Sequence, residues 1–184
     1  MDDYVTTKPR LEQEKLGMMR TFTGRYVCPL RLRARDIDIR DIAHHLALIN
    51  RYTGATPEPY SVAQHSVWVS IHLRQNGASY ELALAGLLHD AAEAYFNDLA
   101  SPVKHDARLA EYSRLEHETG RMILARFGLD PDLLAKTKPA DDAAFFAETR
   151  SWWGGSGEIH PWSWAFAEEE FLDTFCVLTE LIDS

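Results

Sequence analysis

An uninterrupted apolar segment in the middle of the chain constrains the fold most strongly. Seven consecutive residues carry no polar side chain, Leu82-Ala83-Leu84-Ala85-Gly86-Leu87-Leu88. The stretch around them, from about Ser79 to Tyr95, predicts one continuous helix. A helix that is apolar almost all round has to be covered by other elements on every side. We therefore expect this helix to be central and buried.

Further segments with helical periodicity precede and follow this one. Ser61 and Gln64 form a capping box, in which each side chain is expected to bond the backbone N–H of the other residue. No segment shows a convincing period-2 alternation, so the predicted fold class is all-α, a single compact helical bundle. The other predicted helices span about 39–50, 61–76, 108–127, 131–153 with an interruption at Pro139, and 165–182.

The length of the chain is consistent with one domain. Its 184 residues, of which 46% are hydrophobic, suffice for one sizeable core and not for two. Residues 1–36 show no clear pattern and are predicted to form an N-terminal extension that packs on or precedes the core. The helical core is predicted to comprise residues 37–184.

Charge and composition narrow the classes of function. The formal net charge is −9, from 28 acidic and 19 basic residues, which argues against binding of a nucleic-acid polymer. No apolar stretch approaches the ~20 residues of a membrane span, and residues 1–20 lack a signal-peptide core. We expect a cytoplasmic protein with no membrane partner. Cys28 and Cys176 match no metal or redox spacing and are expected to be reduced and buried.

Three ionisable residues follow directly after the apolar segment, in His89-Asp90-Ala91-Ala92-Glu93. Burial of such side chains costs free energy unless they are paired or bind a metal. On a continuous helix His89 and Glu93 would share one side, since they are four residues apart. Nitrogen and oxygen ligands together suit Mn²⁺, Fe²⁺, Co²⁺, Ni²⁺ or Zn²⁺. The alternative is a helix end whose polar residues face solvent.

The other histidines differ in how well they could serve as a further metal ligand. His65 lies one turn into a capped helix, where a lone histidine is more often a core residue than a ligand. A neighbouring helix that offers His89 shifts the balance towards a ligand. His72 lies ~10.5 Å from His65 along the helix axis, so both cannot bind one metal, and His72 is predicted to be structural. We assign no function to His44 and His45.

Two further segments with acidic residues could also contribute a metal ligand. The pair His105-Asp106 follows a polar segment and is predicted to lie at the surface. Asp141 and Asp142 come just after a helix break, where aspartates are commonly N-caps. A fourth metal ligand should nevertheless come from a later helix.

Taken together, these segments resemble the HD-domain phosphohydrolases, whose signature is a His, then a His-Asp pair, then a distant Asp. The nearest resemblance is to the small bacterial 5′-deoxynucleotidases and the phage dATP triphosphohydrolases. The similarity covers roughly 23–148. Its parts are Tyr60-Ser61-Val62-Ala63-Gln64-His65-Ser66, Leu87-Leu88-His89-Asp90-Ala91-Ala92-Glu93-Ala94-Tyr95, Asp98-Leu99-Ala100-Ser101-Pro102-Val103-Lys104 and Ala140-Asp141.

The resemblance implies one divalent metal ion, whether Mn, Co, Fe, Ni, Zn or Mg. Its implied ligands are His65, His89, Asp90 and Asp141. Asp141 is preferred to its neighbour Asp142 because the last Asp of the family normally follows a small residue, here Ala140.

The resemblance also implies the residues around the substrate. Glu93 is expected to act on the attacking water, and Asp98, in a segment that lines the site, is the second residue assigned to catalysis. Arg51 and Tyr52 are expected to contact phosphate and sugar. In the deoxynucleotidases the aromatic residue is typically Trp, so Tyr52 leaves the preference for deoxyribose open. Lys104 is either a phosphate contact or a solvated lysine.

The implied function is hydrolysis of a small 5′-(deoxy)nucleotide, with water attacking phosphorus. A monophosphatase is slightly preferred to a deoxynucleoside triphosphate triphosphohydrolase that releases tripolyphosphate. Hydrolysis of cyclic nucleotides or alarmones and a non-catalytic nucleotide-binding module are the alternatives. The sequence contains no Gly-rich phosphate-binding loop, so a kinase is not supported. The relatives are often dimers or larger, so a homo-oligomer is also open.

Overall fold

The computed structural model describes residues 17–184, and the first sixteen residues of the predicted extension lie outside that range. Within it the regular structure is helical apart from one small hairpin, which confirms the predicted all-α class. The helices are α1 (Ile39–Leu48), α2 (Val62–Gln75), α3 (Tyr80–Leu87), α4 (Glu93–Phe96), α5 (Ser101–Lys104), α6 (Ala110–Arg126), α7 (Leu133–Lys136), α8 (Lys138–Trp152) and α9 (Trp164–Asp183).

A small hairpin precedes the helices. Strands β1 (Met19–Arg20) and β2 (Tyr26–Val27) pair antiparallel, with Met19 opposite Val27. Two-residue strands are too short to give the alternation by which strands are predicted. The hairpin is fastened to α1, because the backbone N–H and the hydroxyl of Thr23 donate to the Asp41 carboxylate at 2.6 and 2.9 Å. The predicted division after residue 36 stays a prediction.

The apolar segment forms the centre of the fold, as predicted. Helix α3 packs against α2 and α9, and residues 83–88 are buried. At Gly86 a Cβ atom would collide with the Leu73 side chain of α2. The glycine therefore allows the two helices to lie close together beneath the site described below.

The predicted continuous helix over 79–95 is wrong at its centre. Helix α3 ends at Leu87, and residues 88–92 form tight turns before α4 begins at Glu93. In these turns the N–H groups of Ala91 and Glu93 donate to carbonyls three residues earlier, at 3.0 and 2.9 Å. The Gly86 carbonyl, which would accept from Asp90 in a helix, accepts instead from His89 Nδ1 at 2.8 Å. This side-chain hydrogen bond takes the place of a backbone hydrogen bond of the helix, just where the ionisable residues begin.

The capping box at the start of α2 is only half correct. The Ser61 side chain accepts from the Gln64 N–H at 3.1 Å, as predicted. The Gln64 side chain does not reach back: its Nε2 donates to the His160 carbonyl at 2.9 Å and its Oε1 accepts from the Trp162 N–H at 2.8 Å. Gln64 therefore fixes the loop over residues 153–163 against α2.

Two further expectations are corrected. The interruption predicted at Pro139 is present but lies two residues earlier, at Thr137 between α7 and α8, and Pro139 itself lies in the first turn of α8, where its missing N–H leaves no hydrogen bond unmade. Cys28 is half-buried and Cys176 is exposed, so the expectation of buried thiols is wrong, although both are free. Within residues 17–184, none of the helices combines the length and the apolar character needed to cross a membrane.

Candidate metal centre

Three elements that are far apart in the sequence bring polar side chains to one point. His65 comes from the first turn of α2, His89 from the turns after α3, and Asp141 from the first turn of α8. His65 Nε2 lies 3.3 Å from His89 Nε2 and 3.3 Å from Asp141 Oδ1, and His89 Nε2 lies 3.8 Å from Asp141 Oδ1. These ligand atoms all lie within 4.8 Å of one another and could hold a metal ion.

Asp90 adds a second carboxylate to the cluster. Its Oδ2 lies 3.1 Å from His89 Nε2 and 3.6 Å from His65 Nε2. Ligands ~2.1 Å from an ion lie roughly 3.0 Å apart at adjacent octahedral positions and roughly 3.4 Å apart at tetrahedral ones. The observed separations, 3.1 to 3.8 Å, lie close to or slightly above these values. His65, His89 and Asp141 therefore fit one divalent ion of the Mn²⁺ to Zn²⁺ series, and Asp90 lies next to the two histidines, where the predicted fourth ligand is expected.

Of the two consecutive aspartates near the start of α8, only the first faces the histidines. Asp141 presents Oδ1 to His65 and His89, while its Oδ2 accepts from Lys138 Nζ at 2.9 Å. The Asp142 side chain is 50% exposed and forms an ion pair with Lys138. The geometry thus separates two residues that the residue pattern alone left equivalent.

Hydrogen bonds fix the orientation of both imidazoles. His65 Nδ1 donates to Glu148 Oε1 at 2.7 Å, and His89 Nδ1 donates to the Gly86 carbonyl at 2.8 Å. In the neutral form of each ring the lone pair is then on Nε2, and both lone pairs point into the cluster. A cation between them would remove the repulsion of two lone pairs 3.3 Å apart. This is the arrangement by which metal-binding histidines are usually held.

The electrostatics of the cluster favour positive charge. Burial lowers the pKa of His89, but the carboxylates of Asp90 and Asp141 outweigh burial and raise that pKa to about 10. Burial likewise raises the pKa of Asp90 and of Asp141, and the neighbouring histidines reverse the effect and hold both pKa values well below the ordinary range. Both carboxylates are therefore ionised at neutral pH and available to a cation.

Glu148 contacts His65 of the cluster and was not among the residues predicted from the sequence. It is 1% exposed and lies on α8 two turns after Asp141. Its Oε1 accepts from Tyr60 Oη at 2.9 Å as well as from His65 Nδ1. Its Oε2 accepts from the Tyr52 hydroxyl and, at 3.2 Å, from Arg51 Nε. The seven-residue spacing from Asp141 places both on one face of α8, which is the signal that could have found it.

Arg51 and Tyr52 lie beside the cluster in a strained turn. Arg51 Nη1 is 3.6 Å from Asp90 Oδ2, so the guanidinium bridges Asp90 and Glu148. Tyr52 and Thr53 both adopt left-handed backbone conformations, with φ of 57° and 55°. Such residues are costly outside glycine and persist where surrounding contacts fix them. Here the fixing contacts are those of Arg51 and Tyr52 with Glu148.

A cavity of about 470 Å³ opens from the cluster towards α6 and α7. His89, Asp90 and Glu93 line its inner end, and Lys104 and Glu116 lie further along its wall. Lys104 Nζ is 2.7 Å from Glu116 Oε2 and 3.9 Å from Glu93 Oε1. Lys104 is therefore an ion-paired residue rather than the solvated lysine considered above, and its contact with phosphate stays a prediction.

Among residues 17–184, Glu93 and Glu116 each carry a buried oxygen for which no hydrogen-bond partner is found, Oε2 in Glu93 and Oε1 in Glu116. Burial and the nearby Asp90 raise the pKa of Glu93 well above its ordinary value. Burial also raises the pKa of Glu116, although Lys104 lowers it. Glu116 was missed by the sequence analysis, since it looks like one of several acidic residues on an amphipathic helix.

Asp98 lies in the loop between α4 and α5. It is half-buried, and burial raises its pKa while Arg51 lowers it. The preceding Asn97 has φ of 69°, and Tyr112 Oη donates to the carbonyls of Phe96 and Asn97 at 2.9 and 3.0 Å. These hydrogen bonds hold the loop against α6. Asp98 lies close enough to Arg51 for the guanidinium charge to lower its pKa.

The remaining histidines considered above lie outside the cluster. His72 stacks on Trp68 with ring centroids 4.8 Å apart, and His105 is exposed. His44 Nδ1 is 2.9 Å from Glu168 Oε2, and His45 Nδ1 is 2.8 Å from the Ala94 carbonyl. Each therefore has a structural contact of its own.

Comparison with known proteins agrees with this arrangement. The chain is 34% identical over 146 residues to the uncharacterized protein YfdR of Escherichia coli K12, covering 79% of this chain and 78% of the relative. It is 38% identical over 135 residues to the uncharacterized protein RCAP_rcc00048 of Rhodobacter capsulatus, covering 71% and 68%. A family model described as HD domain matches residues 62–155, which include all four cluster residues. The chain therefore belongs to the HD-domain family, whose members are generally metal-dependent hydrolases.

Proposed function

We propose that this protein is a metal-dependent phosphohydrolase that acts on 5′-(deoxy)nucleotides, with water attacking phosphorus. One observation carries the proposal. The Nε2 atoms of His65 and His89 face each other beside the carboxylates of Asp90 and Asp141, and His89, Asp90 and Asp141 line a cavity together with Glu93. Glu93 Oε2 has no hydrogen-bond partner among residues 17–184. A cation site and a basic carboxylate on one cavity are the two parts that hydrolysis by water requires.

Each residue has a definite part in the proposed reaction. A divalent cation held by the four ligands would supply Lewis-acid activation of the phosphate and of the attacking water. Glu93 accepts the proton of that water on Oε2, and its raised pKa makes it a stronger base than an ordinary glutamate. Arg51, whose guanidinium reaches Asp90, neutralises charge that develops on the phosphate oxygens. Asp98 is the second catalytic carboxylate, and Tyr52 contacts the remainder of the nucleotide.

Within this function we favour nucleoside monophosphates slightly over triphosphates. The resemblance to deoxynucleotidases supports this choice, and the cavity of about 470 Å³ lies in the size range of small-molecule sites. Release of tripolyphosphate from a deoxynucleoside triphosphate is the second candidate, favoured by Lys138 and Lys104 on the cavity wall. Both reactions use the same residues, so product analysis separates them.

The test is anion-exchange chromatography of reaction products. Purified protein is incubated with Mn²⁺, Co²⁺, Mg²⁺ or Zn²⁺ and a panel of ribo- and deoxynucleoside mono- and triphosphates. We expect nucleoside together with orthophosphate from the monophosphates, and loss of at least ~10²-fold in rate in the double variant His89→Ala, Asp90→Ala.

The chain offers a matched control for that variant. His105 and Asp106 form a second His-Asp pair at the surface, so His105→Ala, Asp106→Ala should leave the rate unchanged. Tripolyphosphate as the product would select the second candidate. Absence of hydrolysis with every metal and nucleotide would refute the proposed function.

A further inference from the structure

We infer that Glu116, on the wall of the cavity that the metal ligands also line, is a substrate-binding residue that accepts a hydrogen bond from a donor on the leaving group. The inference rests on the proposed function and names the chemistry that the cavity selects. The donor is a sugar hydroxyl or an amino group of the base, since a nucleoside offers both.

The burial of Glu116 is the first observation. Its side chain is 8% exposed, and it lines the cavity from α6. Oε2 is 2.7 Å from Lys104 Nζ, whereas Oε1 has no partner within the described residues. A buried carboxylate oxygen without a hydrogen bond is unfavourable, so its retention indicates a partner from outside the described residues.

The position of Glu116 is the second observation. Lys104 stands between Glu116 and Glu93, at 2.7 Å from the former and 3.9 Å from the latter. If the phosphate is attacked beside Glu93, a leaving group that extends past Lys104 comes next to Glu116. Lys104 also fixes the Glu116 carboxylate, because it occupies Oε2 and leaves Oε1 without a partner among the described residues.

The neighbouring wall suits a neutral polar group better than further phosphates. Ser113 lies one turn before Glu116 on α6 and Gly120 one turn after it, and the apolar Leu134 side chain of α7 packs against Gly120. An anionic group next to Glu116 would be repelled by it, and a hydroxyl or amino group would satisfy it. The cavity is therefore matched to a nucleoside beyond the reacting phosphate.

The variant Glu116→Gln tests this directly. The amide can turn its oxygen to Lys104 and its NH₂ to the cavity, which replaces an acceptor by a donor without loss of the Lys104 contact. We expect kcat/KM for deoxynucleoside monophosphates to fall roughly 10- to 100-fold. For p-nitrophenyl phosphate, which carries no donor on its leaving group, kcat/KM should change less than twofold. Glu118→Gln, at an exposed carboxylate paired with Arg114 on the same helix, is the matched control.

Substrate analogues identify the donor. If a sugar hydroxyl is bound, 2′,3′-dideoxynucleoside monophosphates should be poor substrates for the wild type and unaffected by Glu116→Gln. If an amino group of the base is bound, purine nucleotides without an amino group should be poor substrates for the wild type, and Glu116→Gln should not change their hydrolysis. Binding is followed independently by calorimetric titration of nucleotide and Mn²⁺ into Glu93→Gln, with and without Glu116→Gln. The second substitution should weaken binding by a similar factor.

An equal loss on p-nitrophenyl phosphate and on nucleotides would overturn the inference, because Glu116 would then act only through Lys104 or the fold. Unchanged kinetics on every substrate would overturn it as well. In both cases the wild type still hydrolyses nucleotides, and the proposed function stands. A wild type that hydrolyses no phosphate ester refutes the proposed function, and the inference falls with it.

Discussion

At the scale of single residues, Glu148 shows how one buried carboxylate couples the metal ligands to the substrate contacts. It holds the His65 imidazole with Nε2 turned inwards, and with its other oxygen it holds Arg51 and Tyr52. Its pKa lies below the ordinary value, because the hydrogen bond from His65 and the charge of Arg51 outweigh burial. Loss of its charge should therefore affect metal affinity and substrate binding together.

The substitution Glu148→Gln tests this coupling. The amide retains the volume but loses the charge, and one of its two acceptor atoms becomes a donor that faces hydroxyl or N–H groups. We expect metal affinity to fall roughly 10- to 100-fold, as for other residues that orient metal ligands. Calorimetric titration of Mn²⁺ or Zn²⁺ measures this directly. Glu168→Gln, on the far helix α9 and paired with His44, should leave the affinity unchanged.

His89 makes metal binding dependent on pH. In the metal-free protein its pKa is about 10, so the ring is protonated at pH 7 and must lose a proton to bind a metal. We expect release of about one proton from His89 per metal bound at pH 7. Calorimetry in buffers of different ionisation enthalpy measures proton release, and apparent affinity should rise with pH from 7 to 9. No dependence on the buffer would contradict this prediction.

The stability of the metal-free protein changes with pH in the opposite direction to the metal affinity. A folded-state pKa above the unfolded value of ~6.5 stabilises the fold fully below pH ~6.5. That contribution is lost as the pH rises towards 10. Denaturant melts with chelator present should therefore show the free energy of unfolding falling from pH 6.5 to 9, and this pH dependence should be reduced in His89→Ala.

At the scale of elements, the turn over residues 51–54 carries backbone strain next to the site. Thr53 is exposed and β-branched, and its left-handed conformation costs about 1–2 kcal/mol relative to glycine. After the higher unfolded-state entropy of glycine is subtracted, Thr53→Gly should raise the free energy of unfolding by about 0.5–1 kcal/mol. Ala55→Gly, at an ordinary helical φ of −78°, should lower it. Urea melts of the two variants decide between these outcomes.

What the sequence predicts well at this scale depends on local chemistry. Ser61 begins α2, and Gly77, with φ of 79°, follows its end, because a cap and a left-handed glycine act within one turn. The break after α3 was not predictable in this way, since it depends on one histidine side chain bonding the Gly86 carbonyl.

The same distinction holds for the site. The four cluster residues follow from motif resemblance, and the structure brings them together. Glu148 and Glu116 do not belong to the quoted motifs, and each appears in the sequence as an acidic residue on a helix. What distinguishes them is burial and contact with residues from other elements, which only the packing of the helices determines.

At the scale of the whole molecule, the metal site joins elements that are otherwise held by apolar packing. Its residues come from α2, from the turns after α3 and from α8, so a bound ion cross-links three parts of the chain. An unfolded chain cannot hold the four ligands together, and metal binding therefore stabilises the folded state. In the folded protein without metal, the neighbouring histidines stabilise the ionised carboxylates of Asp90 and Asp141, and a bound cation would take over that part from the proton on His89.

Metal should accordingly raise the melting temperature. A metal concentration of 100 times Kd adds about 2.7 kcal/mol, which for a chain of this size corresponds to a shift of roughly 5–10 °C. Differential scanning calorimetry with and without chelator measures the shift. The double variant His89→Ala, Asp90→Ala should show none, whereas His105→Ala, Asp106→Ala should shift as the wild type does. Equal shifts in all three proteins would place the ion elsewhere, because a cation bound at the acidic surface would stabilise them without using the cluster.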